Sequence, residues 1–144
     1  MNVFIVGSPL ETAKALDGRR LKKQIIECRQ MIRAMAGETK AWSNHPCTIQ
    51  YSKHRTWLSY YMLTLSEFAK GHETTAEIAS RQAMIYKPAF HTEEYLDQMK
   101  RRLYTKDPEH YSQWSEYGTS EVNWYWSPSE NAFIYYSNGK RIKP

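Results

Sequence analysis

The stretch from Leu16 to Met35 holds most of the side chains in this chain that could do chemistry. Its cations surround one internal acid, Glu27, and they are Arg19, Arg20, Lys22, Lys23, Arg29 and Arg33. At about 100° per residue, a helix would gather part of this set on one polar stripe, formed by Arg20, Lys23, Gln24 and Glu27. Cations placed in this way can hold phosphates. The carboxylate could orient a reacting amine, activate water or stabilise a cationic intermediate. A solvated helix with a structural Lys23–Glu27 ion pair fits the same spacing.

A second candidate set lies in the loop that follows this stretch. Trp42 and His45 stand beside Pro46, which biases His45 away from helical geometry. An indole and an imidazole on a stiffened turn could stack on an exposed base or hydrogen-bond to it. A packed surface loop accounts for the same residues equally well.

A third set lies near the C terminus and consists of the rings Trp124, Tyr125 and Trp126, followed by the cations Lys140, Arg141 and Lys143. Aromatic side chains interleaved with cations are typical of surfaces that contact nucleic acid strands. Rings also close small cores. The sequence therefore leaves a DNA-contacting surface and a core-closing cluster as alternatives.

These side chains need a scaffold, and the apolar pattern predicts one made of helices. Along the stretch from Leu16 to Met35, apolar residues recur at alternating steps of four and three and form a predicted core face of Leu21, Ile25, Cys28, Ile32 and Met35. Gly37 is the predicted end of this helix. Further helices are predicted over residues 10–16, 52–70 and 75–86, and from the N-cap Thr92 through Leu103.

The remaining segments complete the predicted architecture. Val3–Val6 is either a buried strand or an anchored N-terminal arm, and Asp107 followed by Pro108 predicts the start of another helix. Ala132–Tyr136 could be a short strand before an Asn138-Gly139 turn. We therefore expect a mainly α, compact single-domain helical bundle over residues 1–144. Its aromatic C-terminal segment is expected to be irregular, with room for one short β pairing.

The composition and the absence of several motifs limit the functions that this protein can have. The net charge of +5 and the pI near 9.2 favour a polyanionic partner, nucleic acid first. No P-loop, nucleophile elbow, zinc motif or dinucleotide fingerprint occurs. No apolar run is long enough to predict a membrane span, and the two cysteines suggest no disulfide framework, so we expect an intracellular protein without a metal. A phosphodiester enzyme of this kind would need another route, such as β-elimination through an amine Schiff base.

Three motifs together resemble a known family. They are Leu16-Asp17 with Arg19-Arg20-Leu21, Lys23-Gln24 and Glu27; Trp42 with Asn44-His45-Pro46; and Lys106-Asp107-Pro108-Glu109-His110-Tyr111. In this order they resemble the pyrimidine-dimer DNA glycosylases, in the branch similar to phage endonuclease V, over roughly residues 10–111. Trp124-Tyr125-Trp126 is loosely similar to the aromatic, DNA-contacting C terminus of that branch.

The resemblance implies a mostly helical single domain that needs no metal or cofactor, excises damaged bases and nicks the strand. An N-terminal amine, here of Met1 or after processing of Asn2, would attack the sugar C1′ and form an imine, supported by Glu27. Arg19, Arg20 and Lys23 would clamp phosphates. The other implied DNA contacts are Gln24, Trp42, His45, Lys106, His110, Trp124, Tyr125 and Trp126. The expected partner is damaged or modified double-stranded DNA, bound by a monomer. A non-catalytic DNA-binding protein and a phage structural or interaction protein are the alternatives.

Overall fold

The computed structural model describes residues 1–143, which form a mainly α fold with a small sheet, as predicted. The helices are α1 (Pro9–Ala15), α2 (Gly18–Met35), α3 (Pro46–Gln50), α4 (Arg55–Ala69), α5 (Glu73–Ile85) and α6 (Glu93–Lys106). A 3-10 helix over Ser112–Tyr117 precedes the strands β1 (Asn123–Ser127), β2 (Ala132–Ser137) and β3 (Lys140–Ile142). None of the helices described is long and apolar enough to cross a membrane.

Helix α2 forms where its pattern predicts, but its buried face differs from the prediction. Asp17 caps its first turn by accepting a hydrogen bond from the Arg20 backbone, and the chain leaves the helix at Gly37, whose φ of 77° suits a residue without a Cβ. The buried positions are Leu21, Gln24, Cys28, Met31 and Ala34. The predicted core positions Ile25, Ile32 and Met35 are only partly buried. The helix is therefore rotated so that a glutamine enters the core.

The segment before α1 is an anchored arm and not a strand. Residues 2–5 are buried without pairing to the sheet. Buried backbone groups need partners, and here side chains of the surrounding elements supply several of them. The arm runs between α2, α4 and β1, so that it reaches the core of the molecule.

The middle of the chain differs from prediction in its boundaries. Pro46 starts the short helix α3, with His45 as its N-cap, whereas a longer loop was expected there. Trp42 in the preceding turn has a φ of 67°, a left-handed conformation that is costly for a bulky residue. Helix α4 begins at Arg55 rather than Ser52, and Gly71 follows its end with a φ of 84°.

The prediction of a helix starting at Asp107 and Pro108 is wrong. Helix α6 begins after the predicted N-cap Thr92 and continues to Lys106, with Asp107 as its C-cap. Asp107 does accept a hydrogen bond from the His110 backbone at 3.2 Å, but only a turn follows, and the 3-10 helix begins at Ser112. Long-range contacts of His110 with Ala15 at the end of α1, and of Tyr111 with the α2 N-cap Asp17, hold this turn in place of a regular helix.

The C-terminal segment is regular, which corrects the expectation of an irregular one. β1, β2 and β3 form an antiparallel meander, and β2–β3 turn at Asn138 and Gly139, both at positive φ. The Trp126 backbone donates to the Gln50 side chain at 2.9 Å, which joins β1 to α3. The sheet therefore packs against the helices and completes the core.

Candidate active site

A small pocket of about 210 Å³ collects the residues that the sequence singled out in α2. The arm contributes Met1, Asn2 and Phe4, helix α6 contributes Lys106, and α2 contributes Arg19, Arg20, Lys23, Gln24 and Glu27. Three elements that are distant in sequence therefore meet at one place. We call this cavity the N-terminal pocket.

Gln24 lines the N-terminal pocket and holds the arm by hydrogen bonds. Its side chain is 1% exposed. The carboxamide donates to the backbone oxygen of Asn2 at 2.7 Å and accepts from the backbone N–H of Phe4 at 2.9 Å. The Tyr61 hydroxyl lies 2.9 Å from the carboxamide oxygen and shares its one proton between that oxygen and the backbone oxygen of Phe4. The expectation that Gln24 lies on a polar stripe beside the core and contacts DNA is wrong, because Gln24 is part of the core and its hydrogen-bonding groups are occupied by the arm and α4.

Three further contacts fix the first residues of the arm. The Tyr125 hydroxyl donates to the backbone oxygen of Met1 at 2.6 Å, and the Asn2 carboxamide donates to Asn123 at 2.9 Å. The Tyr61 hydroxyl donates to the backbone oxygen of Phe4. A terminal residue tied down in this way loses much of the mobility that chain ends usually have. The amine of Met1 is thus held at the pocket.

Glu27 lies close enough to that amine to interact with it. Burial raises the pKa of the Glu27 carboxyl, and this effect outweighs the opposing influence of Lys23, the N-terminal amine, Gln24 and Lys106. A carboxylate with a raised pKa exchanges protons more readily near neutral pH. The structure therefore brings a carboxyl group and the residue that carries the N-terminal amine to the same pocket.

The cations of the pocket fall into two groups. Arg20 is paired with Asp17 at 3.1 Å, and Asp17 in turn accepts a 2.5 Å hydrogen bond from Tyr111. Burial opposes the charge of Asp17, but the bonds from Tyr111 and Arg20 outweigh it and lower its pKa. Arg20 is thus held in one position.

The other cations, Arg19, Lys23 and Lys106, have no acidic partner within 4.0 Å among residues 1–143. Desolvation lowers the pKa of Lys106, and the nearby cations Arg102, Arg20 and Lys23 lower it further. Crowded cations without counter-charges favour the binding of an anion.

The Trp42–His45 loop stands beside the pocket. Trp42 is 41% exposed, and its ring meets the edge of His45 at 5.5 Å. The His45 ring in turn packs at 5.8 Å against Tyr125, the residue that holds Met1. Burial and the N-terminal amine lower the pKa of His45. The His45 Nδ1 accepts from the Cys47 backbone at 3.0 Å, so the neutral ring carries its proton on Nε2.

Other predicted DNA contacts lie elsewhere. Tyr125 is 3% exposed and its hydroxyl is used by Met1, so the expectation of a surface contact by Tyr125 is wrong. Trp124 and Trp126 are partly buried against Phe133, with ring centroids 5.6 and 5.2 Å away. His110 lies outside the pocket, where its Nε2 is 3.2 Å from the backbone oxygen of Ala15. DNA contact by these two tryptophans and by His110 remains a prediction.

Asn2, the alternative carrier of the amine, is 5% exposed. Its side-chain oxygen has no hydrogen-bond partner in the part of the chain that the structure describes. Its backbone nitrogen would become an amine only if Met1 were removed. Within the same residues, no group of three or more His, Cys, Asp or Glu side chains could hold a metal ion.

Comparison with known proteins shows the family to which this chain belongs. A family model described as pyrimidine dimer DNA glycosylase matches residues 1–80, more than half of the chain. The chain belongs to the pyrimidine dimer DNA glycosylase family. This confirms the resemblance seen in the motifs, and membership of this family supports an enzyme that acts on DNA in repair. No curated protein and no solved structure matches the chain. The family match contains every residue of the N-terminal pocket except Lys106.

The sequence did not predict which residues hold the arm by hydrogen bonds. They are Gln24, which was expected to contact DNA, and Tyr61, Asn123 and Tyr125. One signal for Gln24 was present. The positions 21, 24, 28 and 31 have the same alternating spacing as the predicted face and contain Leu21, Gln24, Cys28 and Met31. The predicted core face was chosen instead because it contains Ile25 and Ile32, which are more hydrophobic than Gln24. No local pattern indicates Tyr61, Asn123 or Tyr125.

Proposed function

We propose that this protein is a DNA glycosylase that removes damaged pyrimidines and then cleaves the strand, using its N-terminal amine as the nucleophile. One observation carries the proposal: Met1 and Glu27 share a pocket with Arg19, Lys23 and Lys106, cations that have no acidic partner within the described residues. An amine nucleophile, a carboxylate and a phosphate-binding rim are the groups that this reaction needs. Family membership supports the base-excision step.

The chemistry would proceed in two stages. The amine nitrogen attacks C1′ of the damaged nucleotide, the C1′–N bond breaks, and the base leaves with the bonding electrons and takes up a proton. The amine nitrogen loses a proton and the sugar ring opens, which leaves a protonated imine. Loss of a C2′ proton then breaks the C3′–O bond and nicks the strand. Water finally hydrolyses the imine and restores the amine.

Glu27 would act on the charges and protons of both stages. Its carboxylate stabilises the positive charge that develops on C1′ and on the imine nitrogen, and it can accept the proton that the amine loses. Its raised pKa supports such an exchange. Glu27 is therefore the residue on which turnover, rather than DNA affinity, depends.

The cations and the loop would bind the DNA. Arg19, Lys23 and Lys106 would hold phosphates beside the lesion, and Arg20 would do so from the position that Asp17 fixes. Trp42 is exposed and held in a strained backbone conformation next to the pocket, and strain of this kind is concentrated at functional sites. We assign its indole to stacking on a base that has left the duplex stack.

The amine is assigned to Met1, because the Tyr125 hydroxyl binds the Met1 carbonyl and fixes that residue at the pocket. If processing removes Met1, Asn2 carries the amine instead, and its carbonyl is held by Gln24 in the same region. Both versions keep an amine near Glu27. They differ in the mass of the modified peptide.

The test is borohydride trapping on a duplex with an abasic site, followed by mass spectrometry of the trapped peptide. We expect a covalent adduct on the α-amine of Met1 or, after processing, of Asn2. An adduct on Lys23 or Lys106, whose side-chain amines also line the pocket with Glu27, would contradict the N-terminal assignment. Absence of both an adduct and base release from ultraviolet-damaged DNA would contradict the enzymatic function.

A further inference from the structure

A second cavity lies away from the N-terminal pocket, and none of the functional assignments above uses it. It is an open groove of about 790 Å³ between the start of α4 and the end of α5. Its lining includes the cations Lys53, Arg55 and Lys87 and the rings of Tyr60 and Tyr86. We call it the α4–α5 groove.

The charges of this groove have one sign. No acidic residue is among its lining residues, and in the described part of the chain Lys53, Arg55 and Lys87 form no ion pair within 4.0 Å. By contrast, Lys14, Arg33 and Arg81 on other surfaces are each paired with a glutamate at 2.7 to 3.2 Å. The groove thus concentrates positive charge that the fold leaves uncompensated.

Helix α4 adds to this charge. No side chain caps its first turn and no acidic residue lies in that turn, so the first backbone N–H groups, at the groove residues Arg55 and Thr56, have no side-chain acceptor from the cap. Tyr86, at the rim, is 65% exposed, and exposed rings beside cations are typical of nucleic acid surfaces. Cations, helix amides and a ring therefore occur together.

The groove also lies within reach of DNA held at the N-terminal pocket. His45 flanks that pocket and Ser52 lines the groove, and the chain takes seven residue steps from one to the other. Even a fully extended chain of that length spans at most about 25 Å. One turn of B-DNA is about 34 Å long. The groove therefore lies no farther from the flank of the pocket than about one turn of duplex.

We propose that the α4–α5 groove binds the phosphodiester backbone of the DNA that flanks the lesion. This inference rests on the proposed function for its partner, but it assigns contacts outside the reactive pocket. Lys53, Arg55 and Lys87 hold phosphates, which provides affinity without reading the sequence or the damage.

The test compares two triple variants of equal charge. One is Lys53→Gln, Arg55→Gln, Lys87→Gln, which empties the groove of its cations. The control is Lys14→Gln, Arg33→Gln, Arg81→Gln, which removes three cations that are already ion-paired elsewhere. Fluorescence anisotropy measures their binding to duplexes that carry a stable abasic-site analogue and extend either about 4 or about 12 base pairs on each side, lengths chosen from the 25 Å reach at about 3.4 Å per base pair.

We expect the groove variant to bind the long duplex on the order of tenfold more weakly than wild type, with a salt slope smaller by about 2 to 3. Its affinity for the short duplex should be unchanged, and the control should bind both duplexes as wild type does. Equal losses in both variants, an unchanged groove variant, or competition by a mononucleotide as strong as that by the long duplex would each overturn the assignment. Borohydride trapping by wild-type protein tests the proposed function separately, because the groove residues lie outside the N-terminal pocket.

Discussion

The side chain of Gln24 donates a 2.7 Å hydrogen bond to the backbone oxygen of Asn2, across 22 residues of sequence. This bond connects the helix that carries Glu27 with the arm that carries the N-terminal amine. Because the same carboxamide also accepts from the Phe4 backbone, Gln24 replaces the strand partner that the arm lacks. The relative position of amine and carboxylate therefore depends on a residue that has no chemical role of its own.

Replacing this link should release the arm. Gln24→Leu keeps the volume but leaves the buried Asn2 oxygen and Phe4 N–H without their partner, so we expect the free energy of unfolding to fall by about 2 to 4 kcal/mol. The rate of borohydride trapping should fall more than DNA affinity does. Gln30→Leu, at a half-buried position on the same helix, is the control. Equal effects of both changes on the trapping rate would contradict the role of Gln24.

Glu27→Gln separates turnover from binding. The amide cannot accept a proton or stabilise a cationic imine, so we expect base excision to slow by about 10²- to 10⁴-fold. Affinity for DNA should be preserved or improved, because one negative charge leaves the pocket. Single-turnover kinetics and anisotropy measure the two effects. Glu38→Gln, which removes an exposed glutamate paired with Arg33, should change neither. An active Glu27→Gln protein would contradict the assigned role.

The same substitution should alter stability in a pH-dependent way. The pKa of Glu27 is raised in the fold, so the folded protein disfavours the ionised form. This cost is absent at low pH, where the carboxyl is protonated in both states, and it appears as the pH rises through the ordinary and then the folded pKa. Glu27→Gln should therefore stabilise the protein above that range, by at most about 1 kcal/mol since water screens a half-exposed group. Denaturation at acidic and neutral pH measures the difference. A gain that is equal at both would contradict the raised pKa.

Trp42 should affect damaged-base recognition more than folding. Glycine adopts the observed φ of 67° without strain, so Trp42→Gly should change the free energy of unfolding by less than about 1 kcal/mol. Loss of one stacking ring should weaken binding to lesion DNA by about 1 to 3 kcal/mol. Trp42→Phe keeps a ring and should retain most of the affinity. If the glycine variant unfolds easily and binds normally, the indole packs rather than stacks.

His91 should make stability depend on pH. It is buried and bonded to the Tyr51 hydroxyl at 2.8 Å, and burial lowers its pKa to about 3. The unfolded chain binds a proton below its ordinary pKa while the fold does not, so this contribution is complete at neutral pH and is lost as the pH falls from about 6.5 toward 3. The loss amounts to at most about 1.4 kcal/mol for each pH unit.

His91→Gln cannot titrate but still offers Tyr51 an acceptor, so it should flatten this dependence in urea denaturation between acidic and neutral pH. His72→Gln, at an exposed histidine, is the control. A dependence that is the same in wild type and His91→Gln would show that other groups cause the acid sensitivity.

Local patterns predicted much of the fold. The capping residues Asp17 and Thr92, the glycines that end α2 and α4, and the Asn138-Gly139 turn act within a few residues, and their elements form close to where the sequence places them. The failures are where distant partners intervene. The turn after Asp107 is set by the contacts of His110 and Tyr111 with Ala15 and Asp17, at the junction of α1 and α2. The C-terminal rings order into a meander because they pack on the helices.

The sequence by itself determined which groups the site contains: one acid among cations on a helix, Lys106 later in the chain, and motifs sufficient to indicate the family. Those are properties of residue type and spacing along one element. Only the tertiary structure decided that Gln24 faces inward, that Tyr125 holds Met1 and that Met1 and Glu27 line one pocket. The physical reason is that buried hydrogen bonds are satisfied between elements 20 to 124 residues apart, and no local preference specifies such partners.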